Sequence, residues 1–393
     1  MARENRISVP DTYYNITARC ANRAFNLRDA RFRDRIADWI YGVAGFSGVE
    51  VLSWAIMENH LHLFVHVPTV PERYWLDKSK CPASHAFTQR PRECRAPRYE
   101  VNVTDAYPAI TPAGDSPSEK AVVEAIVQSR PLVIYPRVDT AFTMSDEDMV
   151  RRLKMLHCGH SATAAIRTAK RWRRLRENGR DDEVDAEKDA LCRRMYNVSE
   201  FMKTLKQRIS QTFNSETGHT GVFWESRFYS AVVEKEDFAF TALAGYIALN
   251  PTRAGIENRP GEWAWSSWGC AVNPSSRHHR RAVAGYRRLF GDWAVAKAKL
   301  EGVFAAKLPP EYDPAKDRYG YDTIDTDGKP RHHHLTLAQL VHTKISAFER
   351  GGFISRNAKF RDAVLAMLPN RFPARSAAAI ALFAKLAQGS LAA

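Results

Sequence analysis

The chain has 393 residues, of which 45% are hydrophobic and 26% charged, ordinary proportions for a globular protein of about two or three domains. Its formal net charge of +14 favours a polyanionic partner, nucleic acid first. No apolar run reaches the roughly 18 residues of a membrane span, and "MARENRISVPD" has no apolar signal core, so a cytoplasmic protein with no membrane partner is expected.

"TYYNITARC", Thr12 to Cys20, alternates bulky and polar residues and reads as a strand. From Leu27, Phe32, Ile36, Trp39, Ile40 and Val43 recur at helical spacing up to a Gly-rich stop. "VEVLSWAI", Val49 to Ile56, reads as a central strand. "MENH" makes a turn into "LHLFVHV", the hairpin partner. Between Pro68 and about Pro136, Pro, Ser and charged residues replace any period, which reads as an irregular insertion. A helical pattern resumes at Met144, with Ser145 as its cap. Further helices run to about Asn214, broken near "ENGRDD". "RFYSAVVE" is a strand, and "KEDFAFTALAGYIALN" a helix stopped by Pro251. From Trp293 the chain reads as helical and separate, with His332, His333 and His334 in an exposed loop.

Without the insertion the order is strand, helix, strand, strand, helix, strand, helix. This predicts an α+β fold: a ferredoxin-like antiparallel sheet with helices on one face, plus a long insertion and a C-terminal helical extension. Residues 1–68 and 196–292 would form one domain in two halves. Residues 69–195 would be the insertion, irregular and then helical and basic. Residues 293–393 would form a helical region of unknown role.

Within "MENHLHLFVHV" strand alternation puts His60, His62, Phe64 and His66 on one face and Leu61, Leu63, Val65 and Val67 on the other. His60 and His62 stand about 6.6 Å apart along the strand, close enough to share an ion, while His66 lies about 13 Å past His62 and does not reach it. A bare H-x-H is more often two polar residues on a wet sheet face, and a metal site needs a third ligand and a chemical purpose. Tyr246 and Asn250, at i and i+4, share a helix face. The asparagine oxygen suits Mg²⁺ or Mn²⁺, and tyrosine is a covalent nucleophile. The structural alternative is a half-buried Tyr246 and an Asn250 that closes the helix before Pro251. Six cysteines contain no C-x-x-C, and neither Cys81/His85/Cys94 nor His157/Cys158/His160 completes a four-ligand spacing.

"MENHLHLFV" resembles the "M-P-N-H-x-H-L-h-V" segment of the single-tyrosine HUH transposases. "GVFWESRFYSAVVE" is similar to their "G-x-L-W-Q-x-R-F/Y" stretch, "YIALNPTRAGI" to "Y-I-x-x-N-P-V-R-A-G", "WAWSSW" to "W-x-x-S-S", and "YYNITAR" to the opening "Y-H-V-T-x-R" strand. All five occur in family order, over roughly residues 8–68 and 196–270. The branch they most resemble is that of the REP-associated tyrosine transposases. Two features depart from it. Glu58 replaces the usual proline, and Tyr246 lies 184 residues after His62, a longer gap than in compact members.

The resemblance implies an HUH nuclease fold and a metal-dependent DNA-nicking and -joining enzyme. It casts His60 and His62 as metal ligands, Asn250 as the third, Tyr246 as the nucleophile that forms a 5′-phosphotyrosine, and Mg²⁺ or Mn²⁺ as cofactor. Single-stranded or hairpin DNA is the implied partner, and the chain would act as a monomer or homodimer. A DNA-binding protein that keeps the fold without transposition is the alternative. A zinc hydrolase fits poorly, for want of a third His or Cys ligand and a carboxylate base. Candidate DNA contacts are Arg171, Trp172 and Arg173 in the basic run from Arg151 to Arg176. Lys203, Lys206 and Arg208 are further candidates, as are Trp224 and Arg227 in the "W-x-x-R-F" motif.

Overall fold

The computed structural model describes residues 11–74, 142–157, 162–317, 320–343, 353–355 and 360. Most of the expected irregular insertion lies outside them, as do Cys81, His85, Cys94, Cys158 and His160. Two compact units divide the chain, one drawing on Met1–Thr12, Asp29–Val51 and His66–Trp224, the other on Tyr13–Arg28, Leu52–Val65 and Glu225–Ala393.

The main sheet begins with β1 (Thr12–Arg19). Asp29 then starts α1 (Ala30–Ser47) by accepting the Phe32 amide at 2.6 Å, a standard N-cap. Phe32, Ile36, Ile40 and Val43 form its buried stripe. After β2 (Glu50–Ile56) a tight turn, closed by the Met57 amide on the His60 carbonyl at 2.8 Å, leads into β3 (His60–Val67). Next come α2 (Asp146–Leu156), α3 (Ala162–Glu177), α4 (Asp181–Cys192), α5 (Val198–Thr217) and β4 (Tyr229–Val233). Strand order is β2-β3-β1-β4, with β4 antiparallel to β1. That order, with α1 between β1 and β2 and helices between β3 and β4, is the ferredoxin-like topology expected.

In the first unit Ser145 caps α2 by accepting the Asp148 amide at 3.1 Å, as the sequence suggests. Asp146, in the first turn of α2, binds Arg176 of α3 at 2.7 Å and the buried Lys188 of α4 at 2.9 Å. His66 bonds Glu50 at 2.9 Å and Asp11 at 2.7 Å.

In the second unit β4 is followed by α6 (Asp237–Ala248). Its Phe240 ring lies 4.9 Å from Tyr13 of β1 and 5.7 Å from Phe64 of β3. Helix α6 therefore covers the sheet face that also carries His62. The opposite face, with Leu61, Leu63 and Val65, is fully buried as well. Pro251 does not end the helical path. The chain pauses at Leu249 and resumes as α7 (Asn250–Arg253), with Pro251 in the opening turn, where its missing amide costs nothing.

β2 is the edge of the sheet and not the central strand that its apolar run suggests; "WAWSSW" secures its free side. The Ile56 amide donates to the Trp265 carbonyl at 2.9 Å, the Trp263 indole to the Ile56 carbonyl at 3.0 Å, and the Trp54 amide to Ser267 Oγ at 3.0 Å. These bonds satisfy backbone groups that an edge strand would otherwise expose. Ser266 opens α8 (Ser267–Val272) by accepting the Gly269 amide. Only glycine fits at 269, since a Cβ there would sit 2.1 Å from the Trp263 carbonyl oxygen. Helices α9 (His279–Phe290) and α10 (Trp293–Ala305) follow, with the rings of Trp268, Tyr286 and Trp293 packed edge-on or tilted against one another.

The C-terminal region departs from the all-helical, separate expectation. It contains a hairpin of β5 (Gly320–Ile324) and β6 (Pro330–His334), then α11 (Leu337–His342) and β7 (Phe353–Ile354). His332, His333 and His334 are strand residues paired with Asp322, Tyr321 and Gly320, not a loop. β7 adds a short parallel edge to β4, making the sheet five-stranded. Gly245 lets α6 approach its C-terminal neighbours, since a Cβ there would meet Val303 of α10 at 3.2 Å and Val341 of α11 at 3.4 Å.

Candidate active site

Strand alternation on β3 and the pitch of α6 bring the two halves of the expected site together. The His60 and His62 rings lie edge to face with centroids 4.9 Å apart, and His62 meets the Tyr246 ring in the same way at 5.9 Å. His62 is completely buried. Its Nδ1 is paired with Thr17 Oγ1 of β1 at 3.0 Å, and its Nε2, equally buried, has no hydrogen-bond partner. His60 is similarly oriented through Nδ1, 2.6 Å from the Asn59 side-chain oxygen. Burial, the neighbouring His60, then Arg253 and Arg19 hold the His62 pKa well below the ordinary histidine value. His62 is thus a neutral imidazole near pH 7, the protonation state a metal ligand needs. A ring fixed through one nitrogen, with the other left over, is the usual form of a metal-binding histidine. The pair therefore fits a divalent ion.

Tyr246 is only 1% exposed. One face of its ring is covered by the Arg253 guanidinium, 4.0 Å from the centroid. Arg253 donates to the Tyr246 carbonyl at 3.0 Å, to the Val341 carbonyl at 2.8 Å and to Asn250 Oδ1 at 3.0 Å. Asn250 is buried beside the tyrosine, as its i+4 spacing requires. Its carbonyl oxygen already serves Arg253, so an ion would have to use the second lone pair, while its Nδ2 has no partner. Among the described residues no three His, Cys, Asp or Glu side chains gather where they could hold an ion. An imidazole pair with an amide is a different donor set.

The residues expected to contact DNA divide into two groups. Trp172 is buried and donates its indole N–H to Glu187 at 2.7 Å, and Arg171 pairs with the same carboxylate. Trp172 therefore presents no ring to a base. Trp224 is also buried, bonded through its indole to the Lys206 carbonyl at 3.0 Å, with the Lys206 ammonium 5.2 Å above its ring. Arg208 turns back to the Leu156 carbonyl, and Lys203 is exposed and paired with Glu200 at 3.2 Å. Arg173 and Arg227 are exposed, without an acidic partner among the described residues, in company with Arg167, Lys170 and Arg174.

Thr17 and Arg253 are site residues that the sequence alone does not single out. Both stand inside quoted motifs: Thr17 is the threonine of "Y-H-V-T-x-R" and Arg253 the arginine of "N-P-V-R-A-G". The signal is present, and only the fold gives it a partner.

Residues 8–116 match the family model described as "Transposase IS200 like". Over that segment the chain is similar to IS200-like transposases. This IS200-like segment includes β1, α1, β2 and β3, hence Thr17 and the histidine pair, and ends before Tyr246. No curated protein matches the chain. Among solved structures, one described as "Structure of the REP associates tyrosine transposase bound to a REP hairpin" is 11% identical. It covers 70% of this chain and 88% of its own, with a TM-score of 0.30. No helix of the described residues is long and apolar enough to cross a membrane.

Proposed function

We propose that the chain cuts and rejoins single-stranded DNA, with Tyr246 as nucleophile and His60 and His62 as ligands of a Mg²⁺ or Mn²⁺ ion. The observation that carries this reading is the buried, unpartnered Nε2 of His62, on a ring that Thr17 holds through Nδ1 and whose centroid lies 5.9 Å from that of the Tyr246 ring. When bound, the metal supplies Lewis-acid polarisation of a non-bridging phosphate oxygen. Asn250 is the proposed third ligand. Tyr246 Oη forms a bond to the scissile phosphorus as the bond from phosphorus to the 3′ oxygen breaks. The phenol loses its proton, the departing 3′ oxygen gains one, and the DNA stays joined as a 5′-phosphotyrosine. Attack by a 3′-hydroxyl reverses these changes and reseals a strand. One phosphodiester replaces another, so no nucleotide hydrolysis is needed, in keeping with a sequence that lacks a G-x-x-x-x-G-K-[ST] loop.

Arg253 braces the nucleophile, fixing the helix turn that holds Tyr246 and Asn250. The exposed cations of α3, together with Arg227 and Lys203, contact the DNA backbone. Hairpin-bearing single strands are the substrate class implied by the sequence motifs. The test is incubation of the full chain with labelled hairpin DNA and Mg²⁺ or Mn²⁺, followed by a denaturing gel. The expected result is a covalent adduct, lost on chelation and in His60→Ala and His62→Ala. Hairpin binding without adduct on any member of a hairpin library would instead identify a DNA-binding protein that does not cut.

A further inference from the structure

Two large aromatic side chains stand exposed among the described residues, Phe25 at 55% and Tyr229 at 48%. Both are tied to the histidine pair. Phe25 belongs to the segment between β1 and α1, which is laced onto the turn preceding His60. The Cys20 amide donates to the Asn59 carbonyl at 2.8 Å, the Leu27 amide to the Glu58 carbonyl at 2.9 Å, and Asn59 Nδ2 to the Arg23 carbonyl at 3.3 Å. Arg28 adds a forked pair with Glu58, both bonds 3.2 Å, and sets its guanidinium 4.7 Å from the centre of the Phe25 ring. The segment holds two successive non-glycine residues in the left-handed region, Asn22 at φ 53° and Arg23 at φ 57°. Such backbone is costly and persists where the surroundings enforce it, commonly at functional sites. Tyr229 lies directly across from Thr17 in the β1–β4 ladder. Opposed residues share a sheet face, so Tyr229 stands on the face where Thr17 holds His62.

Single apolar side chains scattered over a surface are ordinary, whereas these two exposed rings are each fixed, through strand pairing or hydrogen bonds, to residues around the histidine pair. One of the two rings also carries a cation over its face. That combination suits an unpaired nucleobase, whose flat π-surface stacks on aromatic rings and on guanidinium. We propose that Phe25, backed by Arg28, and Tyr229 are stacking platforms for unpaired bases on either side of the phosphate that the histidine pair receives. The inference rests on the reading of that pair as the DNA-processing site, and it adds a device for seating the strand. Stacking on a ring tolerates any base, so the platforms set the path of the strand and leave sequence choice to other contacts.

The test measures binding of labelled oligo(dT), intact or with one abasic position moved along it, by the full chain and by Phe25→Ala, Phe25→Trp and Tyr229→Ala. The native chain should show a weakened complex at one abasic position for each platform. Phe25→Ala should weaken the intact strand by roughly 5- to 150-fold, the range of one base stack, and erase the penalty at one position only. Tyr229→Ala should erase the other, and Phe25→Trp should restore native behaviour. A native chain indifferent to every abasic position, or alanine variants that bind within about twofold of native and keep all penalties, overturns the proposal. Covalent adduct formation is read separately. Its absence alongside intact abasic penalties would remove the nuclease reading and leave the platforms standing.

Discussion

At the scale of single residues the site depends on Thr17. Its hydroxyl, 3.0 Å from His62 Nδ1, is what fixes the ring and leaves Nε2 over. Replacement by the isosteric valine keeps the shape and removes the bond. Thr17→Val is expected to lower divalent-metal affinity by roughly 10- to 100-fold, the usual cost of removing such a partner, with little change in circular dichroism. Isothermal titration with Mn²⁺ measures it, and unchanged affinity would show that Thr17 does not orient a ligand. The H-x-H spacing can be read from the sequence because a strand's period is fixed. Thr17 cannot, because its partner depends on how β1 and β3 are registered 45 residues apart. Trp172 misleads for a related reason. Among arginines it looks like a stacking residue, yet it follows the buried Ala165 by seven positions and so lies on the core stripe of α3.

Among elements, the first unit joins α2, α3 and α4 through one carboxylate. Asp146 holds Arg176 and the buried Lys188, and its pKa is pulled down to about 2, chiefly by the Arg176 hydrogen bonds and then by Lys188. The carboxylate is charged in the folded chain at pH values where the unfolded one has already taken a proton. Its contribution is therefore complete above about pH 4 and is lost as pH falls through 2. Allowing for solvent at a partly open site, that contribution is about 1 kcal/mol. Asp146→Asn should be less stable than native by about this amount at pH 6, and urea unfolding should show the gap closing between pH 4 and 2. A gap that stays constant across that range would contradict the assignment. These three helices and the break between α3 and α4 are legible from apolar period and caps. The β5–β6 hairpin is not, since "PRHHH" has neither the β-branched content nor the alternation that marks a strand.

For the whole molecule, the charge of +14 becomes a surface once the internal pairs are set aside. Arg171 and Arg176 are occupied by acids, which leaves Arg167, Lys170 and Arg174 along one exposed stripe of α3, with Arg173 beside it. Reversing Arg167, Lys170 and Arg174 to Glu should weaken binding of unrelated single strands alike. It should also lower the slope of log affinity against log salt by about 0.7 for each phosphate no longer neutralised. An unchanged slope, measured by fluorescence anisotropy, would place the backbone-binding cations elsewhere. The ferredoxin-like class is readable from the order of the elements, and alternation and helical pitch give the faces on which His60, His62, Tyr246 and Asn250 lie; the pairing of "MENHLHLFVHV" with "YIALNP" is implied only by the family resemblance. What covers Tyr246, and which tryptophans are spent on the core, are products of tertiary packing.

The central claim is that Tyr246 is the nucleophile. Mass spectrometry of a protease digest, after the chain has reacted with hairpin DNA and divalent metal, tests it most directly. The account predicts a nucleotide bound to the peptide containing Tyr246 and no adduct in Tyr246→Phe. A nucleotide on any other residue, or an adduct that survives Tyr246→Phe, would contradict it.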